Sequence, residues 1–173
     1  MRTFVAFLLL CVTGAVHGQE VGVVEQTRAP YTLLGKVVGI TDGDTITLLD
    51  PERQQHKIRL AGIDAPEKGQ AFGQASKASL SDLVFDRLIQ CHCGKIDKYG
   101  REVCWLEIDG SDANLEQIRR GMAWHYKAYE GEQTEEMRNA YAQVEITASS
   151  SKSGLWIDKD PMPPWVWRGL GRR

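Results

Sequence analysis

The sequence lacks a strong excess of charge of either sign, since 21 Lys and Arg residues are balanced by 23 Asp and Glu residues. Overall charge therefore gives no reason to expect nucleic-acid binding, and any phosphate site has to come from a local cluster of basic residues. No internal repeat or low-complexity block is present. A GxSxG motif is also absent, which disfavours a serine hydrolase built on that elbow.

Long apolar runs are nearly absent as well. The stretch FVAFLLLCVTGAV, at positions 4–16, is too short to span a bilayer comfortably. Because it follows Arg2 and precedes small residues, residues 1–18 are predicted to be a signal peptide cleaved after Gly18. We therefore expect an exported protein, periplasmic or extracellular, that is monomeric and has no membrane segment in its mature form. An uncleaved anchor is the alternative.

Cysteine is scarce, and only Cys91, Cys93 and Cys104 follow the predicted signal peptide. In an oxidising compartment an odd number of cysteines indicates one disulfide and one free thiol. The CHC segment lacks the usual ligand spacing of a zinc site. Strand packing or a cross-strand disulfide is favoured, and the sequence leaves the pairing open.

The pattern of apolar residues predicts five strands and three helices. Strands are predicted at 32–40, 45–50, 56–63, 89–93 and 102–108, a helix over 74–90, and two further helices capped by Asp112 and Thr134. This order fits a mostly β fold with α-helices (α+β), a five-stranded OB-fold barrel with about three helices. A generic α+β sandwich is the alternative. Residues 19–33 are then a leader, 34–157 the barrel domain, and 158–173 a tail rich in Pro, Trp and Arg.

Three carboxylates are predicted to meet at one edge of this sheet. A hairpin centred on residue 53 sets residue 44 opposite residues 62–64, so Asp44 and Asp64 emerge together, with Glu67 three residues later. Like charges this close need a cation, and Ca²⁺ accepts flexible coordination by carboxylates, carbonyls and water. Read singly, each acid is an ordinary solvated turn residue.

Two arginines accompany these acids. Arg59 lies on the same hairpin, and Arg101 ends the segment DKYGR. Guanidinium groups grip non-bridging phosphate oxygens and stabilise charge that develops in a transition state. Together with a carboxylate-bound cation, they indicate a phosphodiester site.

The segments DGDT (42–45), IRLAGIDAPE (58–67) and DKYGR (97–101) together resemble the thermonuclease family of staphylococcal-nuclease-like enzymes. The resemblance implies an OB-fold and a Ca²⁺-dependent endonuclease that acts on DNA and RNA and leaves 3′-phosphates. It implies Asp44, Asp64 and the Ala65 backbone carbonyl as Ca²⁺ ligands. It further implies roles for Arg59 and Arg101 in binding the scissile phosphate, for Glu67 as general base or as the residue that positions water, and for Lys98, Tyr99 and Tyr129 in substrate contacts.

The alternative function is a non-catalytic OB module that binds nucleic acid without cutting it. A module of that kind needs neither the Ca²⁺ ligands nor a base, so the full set of acids and arginines favours the enzyme. The tail permits two interpretations. Trp165 and Trp167 are expected to pack back onto the barrel, or else to stack on single-stranded bases with help from Arg168, Arg172 and Arg173.

Overall fold

In a computed structural model of the chain, residues 26–170 are described, with side chains from residue 29 onward. The predicted signal peptide, together with Arg172 and Arg173, lies outside this range. The strands are β1 (Gln26–Asp42), β2 (Thr45–Leu49), β3 (Gln55–Leu60), β4 (Ile63–Asp64), β5 (Leu88–Ile96), β6 (Glu102–Ile108), β7 (Ser111–Asp112) and β8 (Trp124–His125).

Five of these strands form a closed barrel. Antiparallel pairing follows the order β3-β2-β1-β5-β6, and a parallel pairing of β3 with β6 closes the ring. Alternation along β3 sends Ile58 and Leu60 into the core and leaves Lys57 and Arg59 on the other face. The predicted OB-fold barrel with α-helices is therefore confirmed. It places Arg59 on the outer face of the sheet, where its side chain is 13% exposed.

Within residues 26–170, four α-helices and two 3₁₀ turns surround the barrel. The helices are α1 (Gly73–Val84), α2 (Ala113–Arg119), α3 (Glu135–Ser150) and α4 (Pro164–Leu170), and the turns are Lys127–Glu132 and Gly154–Ile157. The predicted caps are present, since Asp112 accepts a hydrogen bond from the Leu115 amide and Thr134 accepts one from the Met137 amide. No described helix combines the length and the apolar character needed to cross a membrane.

The prediction of one helix over 74–90 is wrong at its end. Helix α1 stops at Val84, Phe85 is extended, and Asp86 has a φ of 64°. The backbone there pairs with β1 instead, because the Asp86 amide donates to the Val37 carbonyl at 3.0 Å. Leu88 matches the helical spacing only by coincidence: it opens β5 and is 66% exposed.

The predicted register of the β2–β3 hairpin is also wrong. Thr45 pairs with Arg59, so Asp44 faces Leu60, whose amide donates to the Asp44 carbonyl at 2.8 Å. The physical reason is a tighter turn than expected. The Asp50 side chain accepts a hydrogen bond from the Gln54 amide at 2.7 Å, and Arg53 adopts a φ of 65°.

The cysteine pairing is decided by the register of β5 and β6. Cys93 lies directly opposite Cys104, and the two form a disulfide. Cys91 is a free thiol in the core, where burial raises its pKa to about 12. The interpretation as a cross-strand disulfide with one leftover thiol is thus correct. A thiol buried in this way is expected to hold little thiolate at neutral pH while the protein stays folded.

Candidate active site

One cleft on the barrel surface brings together all the residues that the sequence marks as functional. It measures about 890 Å³ and runs from the β2–β3 edge to the turn between β5 and β6. Its lining includes every predicted site residue: Asp44, Arg59, Asp64, Ala65, Glu67, Lys98, Tyr99, Arg101 and Tyr129. Their individual roles stay predictions, but the structure makes a shared role possible.

The two aspartates form the buried floor of this cleft. Asp44 is 5% exposed and Asp64 is 1% exposed. The guanidinium group of Arg59 lies between them, with Nη2 3.2 Å from Asp44 Oδ2 and 3.1 Å from Asp64 Oδ1. A further bond from Arg59 Nη1 to the Leu60 carbonyl, at 2.7 Å, fixes the plane of the guanidinium group. Arg59 is therefore preorganised beside both carboxylates.

Two glycines allow the aspartates to approach each other. Gly62 has a φ of 72° and turns the chain after β3, so that the Ala65 amide donates to Asp44 Oδ2 at 2.7 Å. This turn, rather than the predicted hairpin register, brings Asp64 to Asp44. Gly43 packs under α1, where a Cβ atom would lie 1.8 Å from the Ser76 hydroxyl. Position 43, in the middle of the DGD turn, therefore has room only for glycine.

Glu67 lies at the rim of the cleft, on the turn that leads into α1. Its amide donates to Gln70 Oε1 at 3.1 Å, and its carbonyl packs so close to Gly73 that a Cβ atom there would lie 2.0 Å away. The carboxylate accepts a hydrogen bond from Arg168 Nη1 at 2.8 Å. Both the backbone and the side chain of Glu67 are therefore held in place.

Arg101 approaches the cleft from the turn between β5 and β6. Asp97 holds it through bonds of 2.8 Å from Nε and 2.7 Å from Nη2, both to Oδ2. Partial burial opposes ionisation of Asp97, but the hydrogen bonds from Arg101 outweigh it and lower the pKa of this carboxyl group. The Arg101 guanidinium group, 30% exposed, is thereby presented to the cleft.

Aromatic rings and lysines form the opposite wall. Tyr99 is 67% exposed, and Lys98 Nζ and the Arg101 guanidinium carbon lie 5.1 and 5.4 Å from its ring centroid. Tyr129 is 44% exposed, with Lys95 Nζ 4.8 Å from its ring centroid. Exposed rings beside cations are suited to stack on bases while the cations attract phosphates.

The electrostatics of the floor show that negative charge is crowded there. Burial, followed by the charge of Asp44, raises the pKa of Asp42 to about 6. Burial also raises the pKa of Asp64, although Arg168 and Arg59 partly offset this. A cation bound at this place would favour the ionised form of each aspartate.

The residues present fit a hard divalent cation. All the donors on the floor are oxygens, which Ca²⁺ and Mg²⁺ prefer. At this end of the cleft four carboxylates face two guanidinium groups, which leaves two local negative charges when all are ionised: Asp42, Asp44, Asp64 and Glu67 against Arg59 and Arg168. The lining of the whole cleft is balanced, with six carboxylates and six basic side chains. Among the described residues, no three His, Cys, Asp or Glu side chains enclose a metal by themselves. A cation would therefore complete its shell with carbonyl oxygen, water or substrate.

The sequence did not identify Arg168 as part of this floor. Its guanidinium group bonds to Asp64 Oδ1 at 3.1 Å, to Asp64 Oδ2 at 2.7 Å and to Glu67 Oε1 at 2.8 Å. Trp165 anchors the tail by stacking on Tyr126, with ring centroids 5.4 Å apart and planes inclined by 11°. Trp165 thus packs back as predicted, although it remains 38% exposed, and stacking of the tail on bases stays a prediction. The only signal in the sequence was an arginine three residues after a tryptophan.

Comparison with known proteins gives one family and several relatives. Residues 57–158 match the model of the family described as "Staphylococcal nuclease homologue". The chain is 41% identical over 133 residues to an "Uncharacterized endonuclease" of Haemophilus influenzae, covering 77% of this chain and 71% of the relative. It is 40% identical over 143 residues to a "Micrococcal nuclease" of Shigella flexneri, covering 78% and 79%. An "Uncharacterized endonuclease" of Escherichia coli is 37% identical over 135 residues, covering 78% and 84%.

Proposed function

Because this chain belongs to the staphylococcal nuclease family, we propose that it is an exported, Ca²⁺-dependent endonuclease that hydrolyses phosphodiester bonds of DNA and RNA and leaves 3′-phosphate ends. One observation carries the proposal. Two buried aspartates, a rim glutamate and two preorganised arginines share one cleft. A module that only binds nucleic acid does not need buried carboxylates next to a phosphate site.

The cation site would consist of the Asp44 and Asp64 side chains with the Ala65 carbonyl. A bound divalent cation supplies charge neutralisation at the phosphate and orients water for in-line attack. We propose Ca²⁺ rather than Mg²⁺ because Ca²⁺ accepts a variable number of ligands, including carbonyl oxygens and water.

The side chains of the cleft divide the remaining work. Arg59 and Arg101 grip non-bridging oxygens of the scissile phosphate and stabilise the charge that grows there in the transition state. Glu67 accepts a proton from the attacking water, or positions that water. The P–O5′ bond breaks and the proton ends on the leaving 5′ oxygen, so the products carry a 3′-phosphate and a 5′-hydroxyl group.

Binding of the flanking nucleotides is assigned to the exposed wall. Tyr99 and Tyr129 offer ring faces to bases, and Lys98 adds positive charge. Stacking tolerates any base and does not require the 2′-hydroxyl group, which supports action on both DNA and RNA. Export is supported by the predicted signal peptide and by the Cys93–Cys104 disulfide, since disulfides persist in oxidising compartments.

The test is cleavage of denatured DNA and of RNA by the purified chain from Gln19 onward, in Ca²⁺, in Mg²⁺ and in chelator. We expect cutting that requires Ca²⁺ and 5′ ends that polynucleotide kinase labels without phosphatase treatment. Glu67→Gln should lower kcat by roughly 10²–10⁴-fold, the usual range for a general base.

The matched control is Glu52→Gln, since Glu52 is exposed on the β2–β3 turn and does not line the cleft. Its activity should equal that of the wild type. If the wild-type chain binds DNA in Ca²⁺ but leaves it intact, the nuclease proposal is wrong and the binding module is correct.

A further inference from the structure

The C-terminal helix α4 inserts Arg168 among the carboxylates of the cleft. Three features hold the helix there. Trp165 stacks on Tyr126, Pro164 is buried, and Gln70 Nε2 donates to the Met162 carbonyl at 2.5 Å. Because Gln70 Oε1 also accepts the Glu67 amide, the tail and the Glu67 turn form one connected structure.

Arg168 uses acceptor positions that a cation would otherwise use. A carboxylate offers about four lone-pair positions. On Asp64, Oδ1 accepts from both Arg59 Nη2 and Arg168 Nη1, and Oδ2 accepts from Arg168 Nη2. Three acceptor positions of Asp64 are therefore in use, and Arg168 uses two of them.

The same guanidinium group connects Asp64 to Glu67. Nη1 bonds both to Asp64 Oδ1 at 3.1 Å and to Glu67 Oε1 at 2.8 Å. Glu67 is 36% exposed at its side chain, so without this bond several of its rotamers are open to it. A planar fork fixes a carboxylate more firmly than an ammonium group does.

We propose that Arg168 is a positioning residue of the active site, which holds the Glu67 carboxylate in its working orientation and competes with the divalent cation for Asp64. This rests on the proposed nuclease function. Arg168 acts through Glu67 and Asp64 and is not itself assigned a contact with substrate. The tail is accordingly part of the catalytic unit.

The first test measures Ca²⁺ binding by titration calorimetry, without substrate, for wild type, Arg168→Ala, Arg168→Lys and the control Arg119→Ala. Arg119 is an exposed arginine of α2, outside the cleft. Removing one positive charge beside a divalent cation should tighten Ca²⁺ binding by roughly tenfold in Arg168→Ala. Arg168→Lys retains the charge and should stay within about threefold of wild type, as should Arg119→Ala.

The second test measures kcat and KM on denatured DNA at saturating Ca²⁺. Loss of Glu67 orientation should lower kcat of Arg168→Ala by roughly 10²-fold, as small misplacements do, with KM little changed. Millimolar methylguanidinium should restore part of this kcat. The kcat of Arg168→Lys, which lacks the planar fork, should lie between those of wild type and Arg168→Ala.

Tighter Ca²⁺ binding together with lower kcat supports the proposal, because a merely structural role cannot give both. Weaker Ca²⁺ binding, a lower melting temperature and no rescue would show that Arg168 only anchors the tail, and would overturn it. An unchanged kcat in Arg168→Ala also overturns it. If Arg168→Ala does not fold, Arg168→Lys is the deciding variant, and a kcat equal to that of wild type in Arg168→Lys would contradict the proposal. An inactive wild-type protein would refute the nuclease function itself. That outcome differs from failure of the Arg168 proposal, in which wild type is active and Arg168→Ala has an unchanged kcat.

Discussion

Removing the Cys93–Cys104 disulfide should destabilise the protein without destroying its site. The cross-linked residues are 11 apart in sequence. Loop-closure entropy for a loop of this size gives about 3 kcal/mol of stabilisation, through restriction of the unfolded chain. For a domain of this length, that corresponds to a fall in Tm of roughly 6–12 °C.

The double variant Cys93→Ala with Cys104→Ala is the direct perturbation, and reduced wild type is its check. Urea unfolding followed by circular dichroism gives the free energy of unfolding of each. Cys91 is buried in the folded protein, but it becomes exposed when the chain unfolds and can then exchange with the disulfide. Cys91→Ala in the oxidised protein is a control that retains the cross-link.

Activity at 25 °C should change little in the reduced protein. The disulfide joins β5 and β6 in the middle of the hairpin that carries Arg101, but Asp97 holds that arginine independently. Equal unfolding free energies for oxidised and reduced protein would refute the entropic reasoning. A large loss of activity in a protein that stays folded would show instead that the cross-link sets the position of Arg101.

Two further predictions concern stability. Partial burial opposes the charged form of His56, but its hydrogen bonds to Asp50 and Glu102 outweigh this and raise its pKa above 6.5. The stabilisation from charged His56 is fully present below about pH 6.5 and is lost as pH rises through the pKa of the folded state. Urea unfolding midpoints measured from pH 6 to 9, in chelator, should therefore fall for wild type and stay flatter for His56→Gln. Parallel curves for the two proteins would contradict the prediction. Asn114 is fully buried and bonds to three backbone groups of the barrel wall, so Asn114→Ala should lower the free energy of unfolding by about 3 kcal/mol or more. A loss below about 1 kcal/mol, relative to the exposed Asn139→Ala control, would mean that water replaces the amide.

Local features of the fold were predictable because their causes lie within a few residues. Alternation in β3 and β6, and the caps Asp112 and Thr134, follow from side chains that act on their own segment. The end of α1 was not predictable in this way. The residues after Val84 can either continue the helix or form hydrogen bonds with β1, and the outcome depends on the presence of the folded sheet.

The candidate site was predictable as a set of residues but not as a geometry. The three motifs identified the acids and arginines, since the residue types needed for cation and phosphate binding are few. The predicted hairpin register placed Asp44 beside Asp64 for the wrong reason, because the chain turns back at Gly62 instead.

The sequence by itself determined the presence of the five barrel strands, the starts of α1, α2 and α3, the identity of the chemical groups and the expectation of one disulfide. Tertiary structure alone decided which cysteines pair, how β3 and β6 close the barrel, and that Arg168 lies on Asp64, 104 residues away. The physical reason is range. Backbone preference and hydrophobic period act over a few neighbours, whereas closure and tail docking depend on surfaces that exist only once the chain has folded.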